Sequence, residues 1–331
     1  MRNLLSLFLG LSVISVAAES ECVETEDSIL LKWNGKPVLH YNKAVQSPPE
    51  GMNPYYRRSG YIHPVYNPSG QVVTGDFAED HPHQHALFFA WTKCKFEGRP
   101  LEFWNQRLEL GTIAHDEVLE VGTDFFKVRL NYIDGKAPGG PLTILKEVWT
   151  VRMMGSTDNQ FVFDVISEQE CATESPLQIE KYHYGGMAIR GSNQWFDDES
   201  SDQIKEWIKV TKEKPDTPVL GWDVLDRDYL TNEGKTWHDG NHSRPHWVDM
   251  YGKVDGKFTG IAVLAHPTNF RFPQHVRLHP TKPYFCFAPM VDEGFTIEPG
   301  RIYRSRYCYV IHDGKPDQED LNHQWDLFSK R

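Results

Sequence analysis

Phe125-Phe126-Lys127-Val128-Arg129-Leu130-Asn131-Tyr132, the turn pairs Asp134-Gly135 and Gly139-Gly140, and then Leu142-Thr143-Ile144-Leu145-Lys146-Glu147-Val148-Trp149-Thr150-Val151-Arg152 form the passage on which the fold turns. Both runs carry the aromatic and β-branched residues that favour strands, and glycine-containing turns separate them. The signal recurs at residues 161–166. Strands at turn-punctuated intervals point to an antiparallel sandwich or barrel. Upstream, the apolar runs 28–33 and 37–41 flank Asn34-Gly35, the strongest short hairpin signal. Residues 61–66 and 71–74 read as short strands about the turn Asn67-Pro68-Ser69-Gly70. Further strands are expected over 247–251, 259–265, 284–288 and 303–312. Residues 200–214 are the best helix candidate, with Ile204, Trp207 and Ile208 at i, i+3 and i+4. Residues 216–244 read as a long polar loop and those after His312 as a polar tail. The expectation is an all-β protein: one large antiparallel β-sandwich domain over 19–331 with few short helices.

The 331 residues can bury a sizeable core. A net charge of −11 without a long basic run argues against nucleic acid as a partner. Residues 1–18 read as a cleaved export signal. Arg2 supplies the positive start, an apolar run follows from Leu4 to Ala17, and Val16-Ala17-Ala18 offers small residues for cleavage. Nothing after it is apolar enough to span a membrane, so the expected location is periplasmic or secreted. Cys22, Cys94, Cys171, Cys286 and Cys308 permit one or two disulfides in an oxidising compartment, and contain no C-x-x-C.

Chemistry is expected in three patches. In Asp80-His81-Pro82-His83-Gln84-His85 the histidines alternate. On an extended chain His81, His83 and His85 would share one face, as a divalent-metal site or an active-site wall. Pro82 cannot donate to a sheet ladder, so the shared face is more secure for His83 and His85. The plain alternative is a polar loop leading into a buried strand. The second patch runs from Glu180 to Arg190. On a strand Lys181, His183 and Gly185 would face together, Gly185-Gly186 would permit a bulge or close backbone approach, and Arg190 could clamp a carboxylate or ring hydroxyl. An ordinary strand with a surface-paired arginine is the alternative. The third is His266-Pro267-Thr268-Asn269, where His266 and Asn269 could orient a substrate and Arg277 further on could supply a positive charge. His275 and His279 read better as surface-loop residues. Trp247 reads as a stacking platform or a core aromatic. G-x-S-x-G, G-x-x-x-x-G-K-[ST], H-E-x-x-H and G-x-G-x-x-G are all absent, which removes support for serine hydrolases, P-loop enzymes and dinucleotide-dependent dehydrogenases.

Taken together the patches resemble the PmoA-like family, a bacterial group of exported domains of unknown function. The resemblance rests on His63-Pro64-Val65-Tyr66 with Pro68-Ser69-Gly70, Asp80-His81-Pro82-His83, Phe103-Trp104, and Tyr184-Gly185-Gly186-Met187-Ala188-Ile189-Arg190. It continues through Trp247-Val248-Asp249 with Gly252, Gly260-Ile261-Ala262-Val263, His266-Pro267-Thr268-Asn269 and His312-Asp313-Gly314, and so covers nearly the whole chain in order. The family pattern runs His-Pro-His-His-Arg-Gly. Here Gln84, His85 and Ala86 stand at the last three places, which removes an arginine and adds an imidazole. The family is often labelled methane oxygenase, but this chain lacks the membrane spans of the particulate enzyme's subunit, so that activity is not carried over. The resemblance implies a galactose-mutarotase-like supersandwich, a fold whose members bind, epimerise, hydrolyse or cleave sugars.

The leading expectation is a sugar-active epimerase, lyase or hydrolase working by acid/base chemistry. His83, His85 and His183 would be catalytic, with Arg190, His266, Asn269, Trp247 and Lys181 on the substrate, a carbohydrate or other small polar ligand. Two alternatives stand beside it: a non-catalytic carbohydrate-binding module, and a metalloprotein of oxidative type with copper or iron on His81, His83 and His85.

Overall fold

The computed structural model describes residues 19–221, 225 and 227–331. The expected export signal lies outside them. The fold is mostly β, with three antiparallel sheets and two α-helices. The first sheet has eight strands in the order Ser20–Glu24, Ser28–Trp33, Lys36–Asn42, Tyr61–Val65, Leu87–Ala90, Gly186–Arg190, Tyr284–Phe287 and Val276–Leu278. The second, also of eight, runs Arg227–Thr231, Trp247–Val254, Lys257–Ala265, Tyr303–Asp313, Gln160–Cys171, Leu142–Thr157, Phe125–Asp134 and Gly111–Val121. A small sheet of four short strands includes Leu177–Ile179 and Cys94–Phe96.

The large sheets pack face to face because alternate residues of their strands are apolar. Phe126, Val128, Leu130 and Tyr132 are buried on one strand, and Trp149, Val151 and Met153 on its neighbour. From the first sheet Tyr41 reaches across, its ring 5.6 Å from Phe126 and 6.4 Å from Trp149. Within this apolar layer lies a polar knot. Glu147 is fully buried and accepts hydrogen bonds from Ser167 (2.5 Å), Tyr132 (2.9 Å) and Gln169 (3.0 Å), and Gln169 in turn accepts from Trp91 Nε1 (2.7 Å). Burial pushes the Glu147 carboxyl up despite those bonds. A polar group in an apolar layer is tolerable only with its partners in register, so the knot ties one packing of the sheets to one alignment.

The 28–41 hairpin forms as expected. Asn34 and Gly35 both have positive φ (48° and 75°), the pair of left-handed residues that a tight two-residue turn needs. The expected helix is α1, Asp198–Glu213, capped by Asp197, whose side chain accepts from the Ser200 amide. Three stretches differ from expectation. Residues 71–74, read as a strand, make only the isolated bridges Tyr66–Val72 and Thr74–Gly191. The supposed loop over 216–244 contains the strand Arg227–Thr231, which pairs with Trp247–Val254. The supposed polar tail contains α2, Gln318–Phe328, capped by Asp317. Leu321, Trp325 and Phe328, at i, i+4 and i+7, give α2 an apolar stripe that packs on Trp247, Leu264 and Val310. All five cysteines are free thiols.

Candidate functional site

One end of the first sheet builds a polar pocket. Across four strands Phe88, Ala188, Cys286 and Arg277 stand directly opposite one another, which puts their side chains on one face. Arg190 and Tyr284 form the next such pair. Trp104 lies over this face, its ring 4.8 Å from Phe88, 5.2 Å from Tyr184 and 5.9 Å from Tyr284. The turn that carries it is fixed by Glu102, which accepts from the amides of Trp104 and Asn105, both at 3.1 Å. Above this floor opens a cavity of about 330 Å³, at the small end of the range for ligand pockets. His81, His83, His183 and His279 line it, with Arg107 and Arg277. Asp80, Gln84, Asn105 and Tyr56 complete the polar wall. Asn105 Oδ1 is buried without a hydrogen-bond partner.

The histidine stretch is not extended. The His81 amide donates to the Ala78 carbonyl (3.1 Å) and the Gln84 amide to the His81 carbonyl (3.0 Å), so the chain turns twice where Pro82 withholds an N–H. Ala86 then adopts a positive φ of 47° before the strand Leu87–Ala90 begins. The turns break the expected common face. His81 and His83 face the pocket, with ring centroids 5.4 Å apart. His85 points away from it into the interior, fully buried between Asp76 (Nδ1, 2.8 Å) and Gln106 (Nε2, 2.7 Å). The three therefore cannot meet on one metal. Among the described residues no group of three or more His, Cys, Asp or Glu is placed to hold a metal ion.

Asp80 organises the pocket. Its carboxylate accepts two hydrogen bonds from Arg190 (2.8 and 3.1 Å), lies 3.4 Å from Lys282 Nζ, and meets His81 Nδ1 at 2.9 Å. Burial alone would push its carboxyl up. The bonds from His81 and Arg190 and the charges of Arg190 and Lys282 outweigh that and hold it well below the usual carboxylate range. An ionised Asp80 can only accept at this contact, so His81 Nδ1 is the donor to it. His83 is driven the other way. Burial, then the neighbouring His81, His85 and Arg107, lowers it to about 3, so it is neutral at physiological pH. His279, 6.0 Å from His81, is likewise held well below the ordinary imidazole value by burial and by Arg277. Burial and Arg277 lower His183 as well.

His183 and Tyr184 reach the pocket on a non-strand arm, since the strand begins only at Gly186. Gly185 and Gly186 both have positive φ, and a Cβ at Gly186 would lie 2.5 Å from the Phe287 carbonyl oxygen. The expected close backbone approach is there; the expected common strand face for Lys181 and His183 is not. Lys181 is exposed and does not line the cavity. Arg190 is fully buried behind the pocket, bound to Asp80 and to Gln84 (3.0 Å), and so supports the wall instead of clamping a ligand.

The third patch lies elsewhere. His266 is bonded to Thr268 (2.8 Å) and Arg306 (3.2 Å), and its ring packs on Phe328 of α2. Asn269 stitches its loop to the backbone of Arg306 in both directions, at 2.7 and 2.9 Å. Trp247 is a core aromatic whose Nε1 donates to Asn322 (2.9 Å). None of these three lines the pocket. Conversely His279, expected on a surface loop, is a pocket residue. Arg277, expected to supply a positive charge, does line the pocket, and its spacing of two from His279 at a strand end could have flagged the histidine too. Asp80, Trp104 and Tyr184 sat inside quoted motifs; Tyr56, Asn105, Arg107 and Tyr284 carried no local signal.

The protein is thus an all-β sandwich with a histidine- and arginine-lined pocket at one end of a sheet. It belongs to the family of unknown function DUF6807, whose model matches residues 28–326. No curated protein matches it in sequence. Among solved structures it is similar to galactose 1-epimerase from Lactobacillus acidophilus NCFM, with 7% identity and a TM-score of 0.37 over 90% of this chain and 100% of that one. It is also similar to the heparan sulfate lyase HepC from Pedobacter heparinus, with 11% identity and a TM-score of 0.29 over 88% of this chain. The chain spans about a third (34%) of the lyase's length. The resemblance to these carbohydrate-active enzymes is distant.

Proposed function

We propose that the protein is an exported enzyme acting on a sugar or glycoside, as an epimerase, lyase or hydrolase, by histidine acid/base chemistry in the pocket around Asp80. The finer likeness to the PmoA-like family and the sequence of residues 1–18 belong to this same reading. One observation carries it: Asp80 holds His81 through Nδ1, beside His83 and His279, which burial holds neutral. In this reading His81 is the proton acceptor, through its other ring nitrogen, Nε2. The neutral rings of His83 and His279 offer N–H groups to an oxygen that gains charge as the proton leaves. Asn105 Oδ1, buried and unpartnered, is an acceptor for a sugar hydroxyl. Trp104, Tyr184 and Tyr284 give an aromatic wall of the kind against which sugar C–H faces pack.

The test is turnover of a panel of glycosides and free sugars by the purified protein, followed by proton NMR of the anomeric and ring signals. His81→Gln and His83→Gln should each abolish turnover while leaving the unfolding midpoint within a few degrees. Turnover unchanged in both variants overturns the assignment. Binding without any turnover by the wild type makes the protein a carbohydrate-binding module instead.

A further inference from the structure

Beyond the imidazoles, the pocket carries two guanidinium groups with no carboxylate partner among the described residues. Arg107 and Arg277 both line the cavity, on separate segments of the chain. The other charged groups of this region are paired: Asp80, the one carboxylate on the lining, is taken up by Arg190, Lys282 and His81. Among the described residues the Arg277 side chain donates to the neutral Asn241 Oδ1, at 3.0 Å. Among the described residues neither Arg107 nor Arg277 forms an ion pair with a carboxylate. Some arginines elsewhere are matched by acids, as in Arg129–Asp116, Arg152–Asp124 and Arg271–Glu293, and others such as Arg58, Arg227 and Arg244 donate to backbone carbonyls; Arg107 and Arg277 are set apart by lining the same cavity. The formal charge of the chain is −11, so a cavity with two unmatched cations and a neutralised carboxylate is a positive island on an acidic protein. A recess of this kind focuses potential on whatever enters it. The same two cations help hold the imidazoles neutral, Arg107 beside His83 and Arg277 beside His279 and His183.

We infer that the substrate is an anionic saccharide, whose acidic group is received by Arg277 and Arg107 while its ring lies against Trp104 and Tyr184. The inference rests on the sugar-active reading above and adds the class of sugar. A guanidinium binds a carboxylate or a sulfate ester through two parallel N–H donors, so both acid types satisfy the same chemistry. Asp80 does not offer a matching anchor for a cationic sugar, because its charge is already met by Arg190 and Lys282.

The experiment is calorimetric titration of the full protein with glucose, glucuronate and glucose 6-sulfate at 50 and 500 mM NaCl, in wild type, Arg107→Gln, Arg277→Gln and Arg277→Lys. Arg107 is exposed, so R107Q leaves the fold intact, and the lysine variant keeps the charge at 277 if the glutamine variant folds poorly. Wild type should bind at least one acidic sugar roughly 10- to 100-fold more tightly than glucose, the worth of one or two charge-assisted hydrogen bonds. That preference should weaken at high salt and fall toward unity in R107Q and R277Q, with R277K intermediate. The glucuronate and sulfate arms then tell which acid is native. Equal affinity for glucose and both acidic sugars overturns the inference and leaves the sugar-active reading standing. Binding of none of the three overturns both.

Discussion

Replacing Asp80 with asparagine tests the organisation of the pocket most directly. The side chain is nearly isosteric but neutral, and it sits against Arg190, which is fully buried. In the wild type Arg190 has Asp80 and Gln84 as its side-chain partners, and its Nε is already without one. Removing the carboxylate's charge leaves a buried guanidinium with no counter-charge, a change that costs about 3–5 kcal/mol in buried ion pairs. The amide oxygen of asparagine still accepts one bond, which favours the lower end, about 3 kcal/mol. For a chain of this size that corresponds to a fall in Tm of roughly 4–5 °C. Guanidinium chloride unfolding of wild type and D80N at pH 7 measures it. The pH dependence has a definite sign. Asp80 is more acidic folded than unfolded, so its stabilising contribution is complete above the unfolded carboxyl's value of about 4 and disappears as pH falls toward the lower folded value. The gap between the proteins should therefore be equal at pH 7 and pH 5 and close below about pH 4. A gap under about 1 kcal/mol at pH 7, the range of exposed ion pairs, would refute a buried, organising Asp80.

The neutral imidazoles offer a spectroscopic check: the ring signals of His83 and His279 should not titrate between pH 8 and pH 5, and a midpoint near 6.5 for either would contradict the described burial. The unfolded chain protonates His83 near 6.5 whereas the folded one does so only at about 3, so stability should decline as pH drops below about 6.5, less steeply in His83→Gln. His85→Ala should destabilise by about 2–4 kcal/mol, because it empties a buried site and strands Asp76 and Gln106, yet should leave glycan affinity within about twofold. A large affinity loss at unchanged stability would return His85 to the pocket.

Much of the architecture could be read from local pattern. The Asn34-Gly35 hairpin, the alternating strands around Phe125 and Leu142, and α1 all depend on signals within a dozen residues. α2 carried its signal too, in Asp317 and the spacing of Leu321, Trp325 and Phe328, but a polar composition hid it. The site was legible only in part. Alternation on paper put His81, His83 and His85 on one face, and two turns around Pro82 sent His85 into the interior. Arg277 shares a face with Phe88 only through a register spanning four strands, and no window of sequence contains that register. His266 and Asn269 looked like a substrate loop because polar groups after an apolar strand often are one. Here their hydrogen bonds go to Arg306 and Thr268, the fastenings of a loop beneath a C-terminal helix.

The pocket draws Tyr56, the 80–84 turn, Trp104, the His183-Tyr184 arm and the 277–284 segment from points spread over most of the chain. A ligand seated there would pin together segments that lie far apart in sequence. Its binding energy would enter the global unfolding equilibrium and not merely the stability of one loop, adding RT ln(1 + [L]/Kd) to the whole molecule. Melting curves recorded against a library of sugars therefore give a direct route to the natural ligand, with no assumption about the reaction that follows.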